Sequence, residues 1–141
     1  MNKKYLKDNL AHKFPVSIKG IIKNKNCFLL LKNDRQEWEF PGGKLELNEL
    51  VEKCLKREIK EETGLNIIVD KFVNAWVYHI YKNVDVLILT FYCKLKKYRI
   101  PIISSEHKEA KWFSFQEIMK LKNLPQGYKK SIKQIENKKW Q

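Results

Sequence analysis

Two short runs rich in aliphatic and β-branched residues lie near the start of the chain. Residues 16–22 have the sequence VSIKGII, residues 27–32 have the sequence CFLLLK, and the polar segment KNKN separates them. Such runs with a short polar connection predict a β-hairpin. After a polar loop, the segment EWEF predicts a third strand, and Pro41-Gly42-Gly43 predicts a turn that ends it.

The next segment has the spacing of an amphipathic helix. Its apolar residues, which recur about every fourth position, are Leu50, Val51, Cys54, Leu55 and Ile59. Asn48 is a candidate N-cap, so we expect the helix to begin near Glu49. Gly64 follows Thr63 and suits a left-handed C-cap that ends the helix.

The second half of the chain predicts more strands and two further helices. Two long strand-like runs, NIIVDKFVNAWVYHIY and VDVLILTFYCKL, are joined by Lys82-Asn83 in a second hairpin. The segment AKWFSF predicts a short strand, and Ser114 opens a helix in the segment FQEIMKL. A C-terminal helix has apolar residues at helical spacing, namely Tyr128, Ile132 and Ile135. This order predicts an α/β (α+β) fold with a mixed β-sheet between helices.

Length and composition indicate a single domain spanning residues 1–141. The chain is 43% hydrophobic and 12% aromatic, which suffices for a globular core, and we find no linker-like segment. Cys27, Cys54 and Cys93 are odd in number and lie in apolar surroundings, which favours reduced thiols over disulfides or a zinc site. The sequence also lacks the pattern of a signal peptide or a membrane span. We therefore expect a soluble, cytoplasmic protein.

The charge of the chain is strongly positive and suggests an anionic partner. Lys and Arg number 29 against 16 Asp and Glu, which gives a formal net charge of +13. Only three of these basic residues are arginines, whereas surfaces that recognise nucleic acids specifically depend on arginine for bidentate contacts. We therefore interpret most of the lysines as a solvated surface.

Three glutamates nevertheless cluster on the predicted helix of this basic protein. At about 100° per residue, Glu58, Glu61 and Glu62 share a helix face about 100° wide. Like charges at this spacing destabilise a helix, whereas a divalent cation prefers oxygen ligands gathered on one side. The preceding loop, FPGGK, adds two glycines at which the backbone can approach a ligand closely. A solvated face, in which neighbouring Lys and Arg side chains pair with the glutamates, is the alternative.

The spacing of these residues resembles the Nudix box, the sequence signature of the Nudix hydrolases. The matching positions are Gly43, Glu49, Arg57, Glu58, Ile59, Glu61, Glu62, Gly64 and Leu65. The flanking segments WEFPGGK and EAKWFSFQEI also resemble the family, in particular its MutT-like members. The resemblance implies an α/β/α sandwich, and it implies that Glu49 pins the preceding loop to the helix.

The resemblance also implies roles for the other box residues. Glu58, Glu61 and Glu62 would bind Mg²⁺, for which Mn²⁺ can substitute, and the Gly43 carbonyl would be a further ligand. In several family members the glutamate that matches Glu58 instead acts as general base on the attacking water, and both roles stay open here. Arg57 would orient the Glu58 carboxylate.

Further candidate site residues lie outside the box. The family often places another acidic residue on a distant loop, for which Glu106 and Glu109 are the candidates and Glu106 is preferred as a catalytic residue. We interpret His107, which follows Glu106, as an exposed loop histidine. The candidate substrate-binding residues are Lys44, Trp38 and Tyr81.

Nudix hydrolases cleave a nucleoside diphosphate linked to another group. The segment WEFPGGK resembles members that act on nucleoside triphosphates, which favours a (d)NTP pyrophosphohydrolase that releases nucleoside monophosphate and pyrophosphate. The alternatives are hydrolysis of RNA 5′ ends, hydrolysis of dinucleoside polyphosphates, and a non-catalytic nucleotide sensor. The expected partner is a small nucleotide, with nucleic acid less favoured and no membrane, and a homodimer stays open.

Overall fold

The order of strands and helices follows the sequence prediction. The computed structural model describes residues 11–137. Its strands are β1 (Val16–Asn24), β2 (Cys27–Lys32), β3 (Trp38–Glu39), β4 (Gly42–Lys44), β5 (Ile67–Tyr81), β6 (Val84–Leu95) and β7 (Glu109–Ser114). Its helices are α1 (Val51–Thr63), α2 (Phe115–Lys120) and α3 (Gln126–Glu136). The first hairpin, the helix, the second hairpin, the late strand and the two last helices are thereby confirmed.

The strands form a mixed sheet in which β1 is central. The sheet order is β3-β2-β1-β6-β5, with β4 paired to β1 and β7 paired to β2. β1 is parallel to β6, with Ile18 opposite Leu89, whereas its pairings with β2 and β4 are antiparallel. The start of β1 pairs with β4 and its end pairs with β2. The glycines of β4 therefore lie directly beside β1.

Alternating residues of β1 and β2 pack on opposite faces of the sheet. Ile18 and Leu29 belong to the core cluster under α1, which also contains Leu55 and Ile59. Ile21 and Phe28 belong to the cluster on the other face, together with residues of α2 and α3. Helices therefore cover both faces of the sheet, and the predicted α+β sandwich is confirmed.

The two ends of α1 differ in how well the sequence predicted them. The C-cap is confirmed, because Gly64 is left-handed (φ 74°) and its N–H donates to the Lys60 carbonyl at 2.9 Å. The N-cap prediction is wrong. The helix begins at Val51, and the N-cap is Leu50, which makes no side-chain capping bond. Asn48 instead adopts a left-handed conformation (φ 64°) within the preceding loop.

The Pro41-Gly42-Gly43 segment also differs from its prediction. Instead of a turn that ends a strand, Gly42 and Gly43 continue into β4 and pair with Lys19 and Ile18 of β1. Gly42 requires the absence of a side chain, because its φ is 139° and an added Cβ would lie 2.0 Å from the Ile18 carbonyl oxygen. Glycine at position 42 therefore allows the backbones of β4 and β1 to approach closely at this point.

Local turn and cap signals elsewhere are confirmed. Lys25 and Asn26 both have positive φ angles, as the tight turn of the first hairpin requires, and Asn83 does the same in the second. Ser114 and Glu117 form a reciprocal capping box, with Glu117 N–H donating to Ser114 Oγ at 3.2 Å. The three cysteine thiols are free. In the described range, each helix is too short or too polar to cross a bilayer.

Candidate active site

One cavity brings together residues that are far apart in the sequence. Its volume is about 600 Å³, and strands β1, β3, β4, β5 and β6, helices α1 and α3, and the loops that precede β3 and β7 contribute to its lining. Among residues 11–137, six carboxylates line it, from Glu39, Glu46, Glu58, Glu61, Glu62 and Glu106, against four cationic side chains, from Lys19, Arg35, Lys44 and Arg57. The lining is therefore net acidic in a chain whose formal net charge is +13.

The three glutamates predicted to share a helix face all reach this cavity. Glu62 is buried, and its Oε2 accepts a hydrogen bond from the Gly42 N–H at 3.0 Å. Glu58 is largely buried, whereas the Glu61 side chain is 59% exposed. Burial raises the pKa of the Glu62 carboxyl to about 7, although Lys19 and the Gly42 N–H oppose the shift. Burial also raises the pKa of Glu58, with Arg57 opposing and Glu61 and Glu106 adding to the shift.

Arg57 organises the carboxylates on the outer side of α1. Its Nε and Nη2 donate to Oε2 and Oε1 of Glu49 at 2.7 and 3.0 Å, which is a bidentate pair. Its Nη1 donates to Glu58 Oε1 at 3.0 Å and to Glu61 Oε2 at 3.3 Å. Hydrogen bonding by Arg57 lowers the pKa of Glu49 to about 2. The Glu46 N–H also donates to Glu49, so Glu49 joins the preceding loop to the helix.

Gly43 makes room for the Glu58 carboxylate. A Cβ added at Gly43 would lie 2.3 Å from Glu58 Cδ and 2.4 Å from Glu58 Oε2. The backbone of β4 and the carboxylate of α1 are therefore in direct contact at the cavity wall. This contact explains in physical terms why glycine occupies position 43.

A cluster of buried charged groups forms the floor between β1, β3 and the loop that precedes β7. Glu39 accepts hydrogen bonds from Asn33 Nδ2 at 3.2 Å and bonds to His107 Nε2 at 2.9 Å. Lys19 Nζ lies 3.8 Å from Glu39 Oε2. Burial disfavours the ionised form of Glu39, but Lys19, His107 and Asn33 outweigh it and lower its pKa to about 2. Neither Lys19 nor Glu39 was predicted as a site residue. Lys19 belongs to no motif, whereas Glu39 lies within the segment WEFPGGK that resembles the family.

His107 corrects one prediction. The sequence predicts an exposed loop histidine, but its side chain is only 5% exposed and is bonded to Glu39. The two residues are 68 positions apart in the sequence, so no local pattern could have indicated this contact. The loop histidine is therefore part of the buried framework under the cavity.

The other residues predicted from the sequence fall into two groups. Glu106 and Lys44 line the cavity, whereas Trp38, Tyr81 and Glu109 are not among the described residues that do. Trp38 is buried in the core against Phe113, and Tyr81 is exposed at the hairpin between β5 and β6.

The side of the cavity opposite α1 is aromatic and aliphatic. The residues there that the sequence analysis did not select are Tyr78, Ile80, Val86, Ile88 and Tyr128. The alternation of β5 and β6 was available as a signal, since Tyr78 and Ile80, and likewise Val86 and Ile88, lie two positions apart and share a face. Tyr128 was assigned to the core stripe of the last helix, and it is indeed buried while it also lines the cavity.

The donor set fits a hard divalent cation that is completed by water and substrate. Between residues 11 and 137, no three Asp, Glu, His or Cys side chains converge closely enough to enclose a metal ion by themselves. Mg²⁺ in phosphate-processing sites characteristically uses one or two carboxylates, retains waters and takes phosphate oxygens. Glu58, Glu61 and Glu62 along one wall, beside the β4 backbone, are suited to that arrangement. Mn²⁺ accepts the same oxygen ligands.

Comparisons with known proteins agree with this geometry. A family model described as a NUDIX domain matches residues 13–135. A protein of Buchnera aphidicola subsp. Schizaphis graminum named 8-oxo-dGTP diphosphatase is 32% identical over 111 residues, which cover 75% of this chain and 81% of that protein. A MutT-like protein of Streptomyces ambofaciens is 34% identical over 107 residues, which cover 73% of this chain and 66% of that protein.

A solved structure shows the same fold. The crystal structure of a MutT protein from Methanosarcina mazei Go1 matches with a TM-score of 0.81 at 22% identity, over 94% of this chain and 100% of that one. The family match includes the whole box, and the site residues named by the box line one cavity of the expected fold. The chain therefore belongs to the Nudix hydrolase family.

Proposed function

We propose that this chain is a divalent-cation-dependent pyrophosphohydrolase of nucleoside triphosphates, which releases nucleoside monophosphate and pyrophosphate. The observation that carries the proposal is the cavity lining, in which, over the part of the chain that the structure describes, six carboxylates outnumber four cationic side chains within a basic protein. A phosphate chain would be repelled by such a wall unless cations lay between them. The acidic wall is therefore understandable as a cation-binding surface for a polyphosphate substrate.

The division of the cavity supports a nucleotide rather than a simple polyphosphate. The α1 side carries the glutamates, and the opposite side carries Tyr78, Ile80 and Tyr128. Ligand sites commonly combine an apolar or aromatic surface with a few polar groups that fix orientation. A nucleoside against the aromatic side would place its phosphates along the glutamates.

The chemistry required of the protein is mainly positioning and neutralisation of charge. Water attacks one phosphorus, the bridging P–O–P bond breaks, and the proton from water passes to a carboxylate. Glu58 and Glu106 are the carboxylates that we propose for proton acceptance, and Glu58 is equally suited to cation binding. Bound Mg²⁺ or Mn²⁺ would neutralise the phosphates and lower the pKa of the attacking water. Lys44 lines the same cavity and is suited to contact a phosphate oxygen.

The relatives support the choice of substrate class. The Buchnera protein that resembles this chain over 111 residues is named 8-oxo-dGTP diphosphatase. We therefore place oxidised and ordinary (d)NTPs first among the candidate substrates. Against this, 5′-triphosphorylated RNA is the alternative that the net charge of +13 would assist.

A substrate panel with product identification tests the proposal. The purified protein would be incubated with Mg²⁺ and with each (d)NTP, 8-oxo-dGTP, a dinucleoside polyphosphate and 5′-triphosphorylated RNA. We expect pyrophosphate and nucleoside monophosphate in equal amounts from at least one triphosphate, and no release in excess chelator. Strong turnover of RNA with silent mononucleotides would replace the proposal by the RNA alternative. Binding of nucleotides without any turnover would indicate a sensor.

A further inference from the structure

A tight turn presents Glu106 to the cavity. The His107 N–H donates to the Ser104 carbonyl at 3.2 Å, which closes a four-residue turn with Glu106 as its third residue. Glu106 is exposed and lines the cavity, whereas its neighbour His107 is buried. Both residues therefore line the cavity, Glu106 as an exposed side chain and His107 as a buried one.

The Glu106 carboxylate lines the same cavity as the Glu58 carboxylate. It is close enough to Glu58 to contribute to the raised pKa of that residue. Among the described residues, no side chain or backbone N–H donates a hydrogen bond to the Glu106 carboxylate. Like charges repel, so the Glu58 carboxylate does not hold Glu106 in place. The position of Glu106 therefore depends on how its neighbours are anchored.

One anchor is the C-terminal end of α1. The Ser104 N–H donates to the Glu62 carbonyl at 3.1 Å, and the Ile102 N–H donates to the Thr63 carbonyl at 2.9 Å. These bonds satisfy carbonyls at the helix end that have no partner within the helix. They fix the first residue of the turn beside a glutamate of the box.

The second anchor is His107. Its Nε2 lies 2.9 Å from Glu39 Oε1, and Glu39 is itself held by Asn33 and Lys19. Glu39 is part of β3 and pairs with Leu31 of β2, so it belongs to the rigid sheet. Apolar residues could often replace a whole buried ionic pair without loss of stability, although removal of one partner alone is costly. Stability alone therefore does not explain why the His107–Glu39 pair is present. A physical reason for the pair is that it holds the turn in one position.

From this geometry we propose that His107 is a positioning residue, which acts through its bond to Glu39 to hold Glu106 opposite Glu58. The proposal rests on the proposed function in that Glu106 is taken to assist hydrolysis. The two anchors lie on either side of Glu106, one on α1 and one on β3. Loss of the histidine anchor would leave the turn attached to α1 and to β2 through Lys108, but free to move away from Glu58.

Two amide substitutions at position 107 distinguish the loss of the hydrogen bond to Glu39 from a general effect of replacing the histidine. His107→Gln places an amide nitrogen where Nε2 lies, so it can donate to Glu39, whereas the shorter side chain of His107→Asn cannot reach. We expect His107→Asn to lower kcat about tenfold to a hundredfold with little change in KM, and His107→Gln to restore most of kcat. Equal kcat in the two variants would overturn the proposal. His107→Ala is the second removal variant should the asparagine variant fail to fold.

A double-mutant cycle tests whether His107 acts through Glu106. We expect Glu106→Gln and the double variant Glu106→Gln/His107→Asn to have the same kcat, because the anchor has nothing left to position. The proposal would be overturned if His107→Asn lowered kcat by the same factor in the Glu106→Gln background as it does in wild type. His79→Ala is the matched control, because His79 also bonds a carboxylate, Asp85, at 2.6 Å, but in the exposed second hairpin. We expect it to leave kcat unchanged.

Amide hydrogen exchange supplies a readout that does not require activity. The amide of residue 107 donates within the turn, so we expect it to exchange faster in His107→Asn and near the wild-type rate in His107→Gln, whereas the Ser104 amide, which bonds to α1, should exchange as in wild type. Unchanged exchange of the residue 107 amide in His107→Asn would overturn the proposal. Should the wild-type protein hydrolyse none of the nucleotides, the proposed function fails by itself, and the exchange comparison still decides whether His107 holds the turn.

Discussion

Arg57 binds Glu49 through two parallel hydrogen bonds, from Nε to Oε2 at 2.7 Å and from Nη2 to Oε1 at 3.0 Å. This pairing fixes the plane of the guanidinium group. As a result, the remaining nitrogen, Nη1, is directed at Glu58 and Glu61 at 3.0 and 3.3 Å. A loop glutamate that precedes α1 therefore determines the orientation of carboxylates about two to three turns into the helix.

Substitution of Arg57 by lysine should separate charge from orientation. Arg57→Lys keeps a positive charge but cannot bond Glu49 in a bidentate manner and reach Glu58 at the same time. We expect kcat for pyrophosphate release to fall about tenfold or more, with a smaller effect on KM. Arg99→Lys, in the loop after β6, is the control and should retain wild-type kinetics. A fully active Arg57→Lys variant would contradict the orienting role.

Two glutamates of α1 form a matched pair for testing the cation-binding wall. The side chains of Glu61 and Glu52 are both 59% exposed, and each is paired with a basic residue of the same helix, but only Glu61 lines the cavity. We expect Glu61→Gln to lower kcat well over tenfold and to raise the Mg²⁺ concentration needed for half-maximal activity. Glu52→Gln should change neither quantity, nor should either substitution change the circular dichroism spectrum. Equal activity of the two variants would show that the cation lies elsewhere.

Two glycines of the box should respond differently to alanine. In Gly43→Ala the new Cβ would overlap the Glu58 carboxylate, which can move because it is the end of a flexible side chain. We therefore expect a large loss of kcat with a small change in melting temperature. At Gly64 an added Cβ has nothing within 4 Å but would be strained by the positive φ. Gly64→Ala should cost about 1 kcal/mol of stability and retain the kcat of the folded protein. Loss of stability without loss of kcat in Gly43→Ala would contradict this assignment.

The buried carboxylate of Glu39 should make stability depend on acid pH. Its pKa is about 2 in the folded protein, against a usual value of 4.5, because Lys19, His107 and Asn33 outweigh burial. Above the pKa of Glu39 in the unfolded chain, Glu39 therefore makes its full contribution to the free energy of unfolding. This contribution is lost as pH falls from about 4.5 toward about 2, since the unfolded chain takes up the proton first. We expect the advantage of wild type over Glu39→Gln to shrink by up to about 3 kcal/mol across this range.

Urea unfolding followed by fluorescence at a series of pH values would measure this effect. Wild type and Glu39→Gln would be compared at each pH, so that the titration of groups that do not interact with Glu39 cancels to first order. A difference in unfolding free energy that stays constant from about pH 6 to about pH 3 would contradict the lowered pKa.

Local signals in the sequence predicted much of the framework. The period of the apolar residues located α1, and Gly64 located its end, because both depend on the geometry of neighbouring residues. The shared face of Glu58, Glu61 and Glu62 likewise follows from the helical repeat alone. The spacing around them identified the family, which the matching domain over residues 13–135 confirmed.

Predictions failed where a distant contact replaced the local preference. Asn48 is a good N-cap by type, but Glu49 is drawn into the loop by Arg57 and the helix begins later. Pro41-Gly42-Gly43 has the composition of a turn, but pairing with β1 makes its glycines a strand. His107 has the surroundings of an exposed loop residue, but a carboxylate 68 positions away binds it in the floor.

By itself, the sequence determined which helix carries the carboxylates and which way they face, because side-chain direction along a helix is a property of a few adjacent residues. Only the tertiary structure decided which other residues line the cavity with these carboxylates. Glu106, the buried group of Lys19, Glu39 and His107, and the aromatic side with Tyr78 and Tyr128 come from separate strands and loops. Their convergence depends on which strands pair in the sheet, and strand pairing is set by the packing of the whole domain.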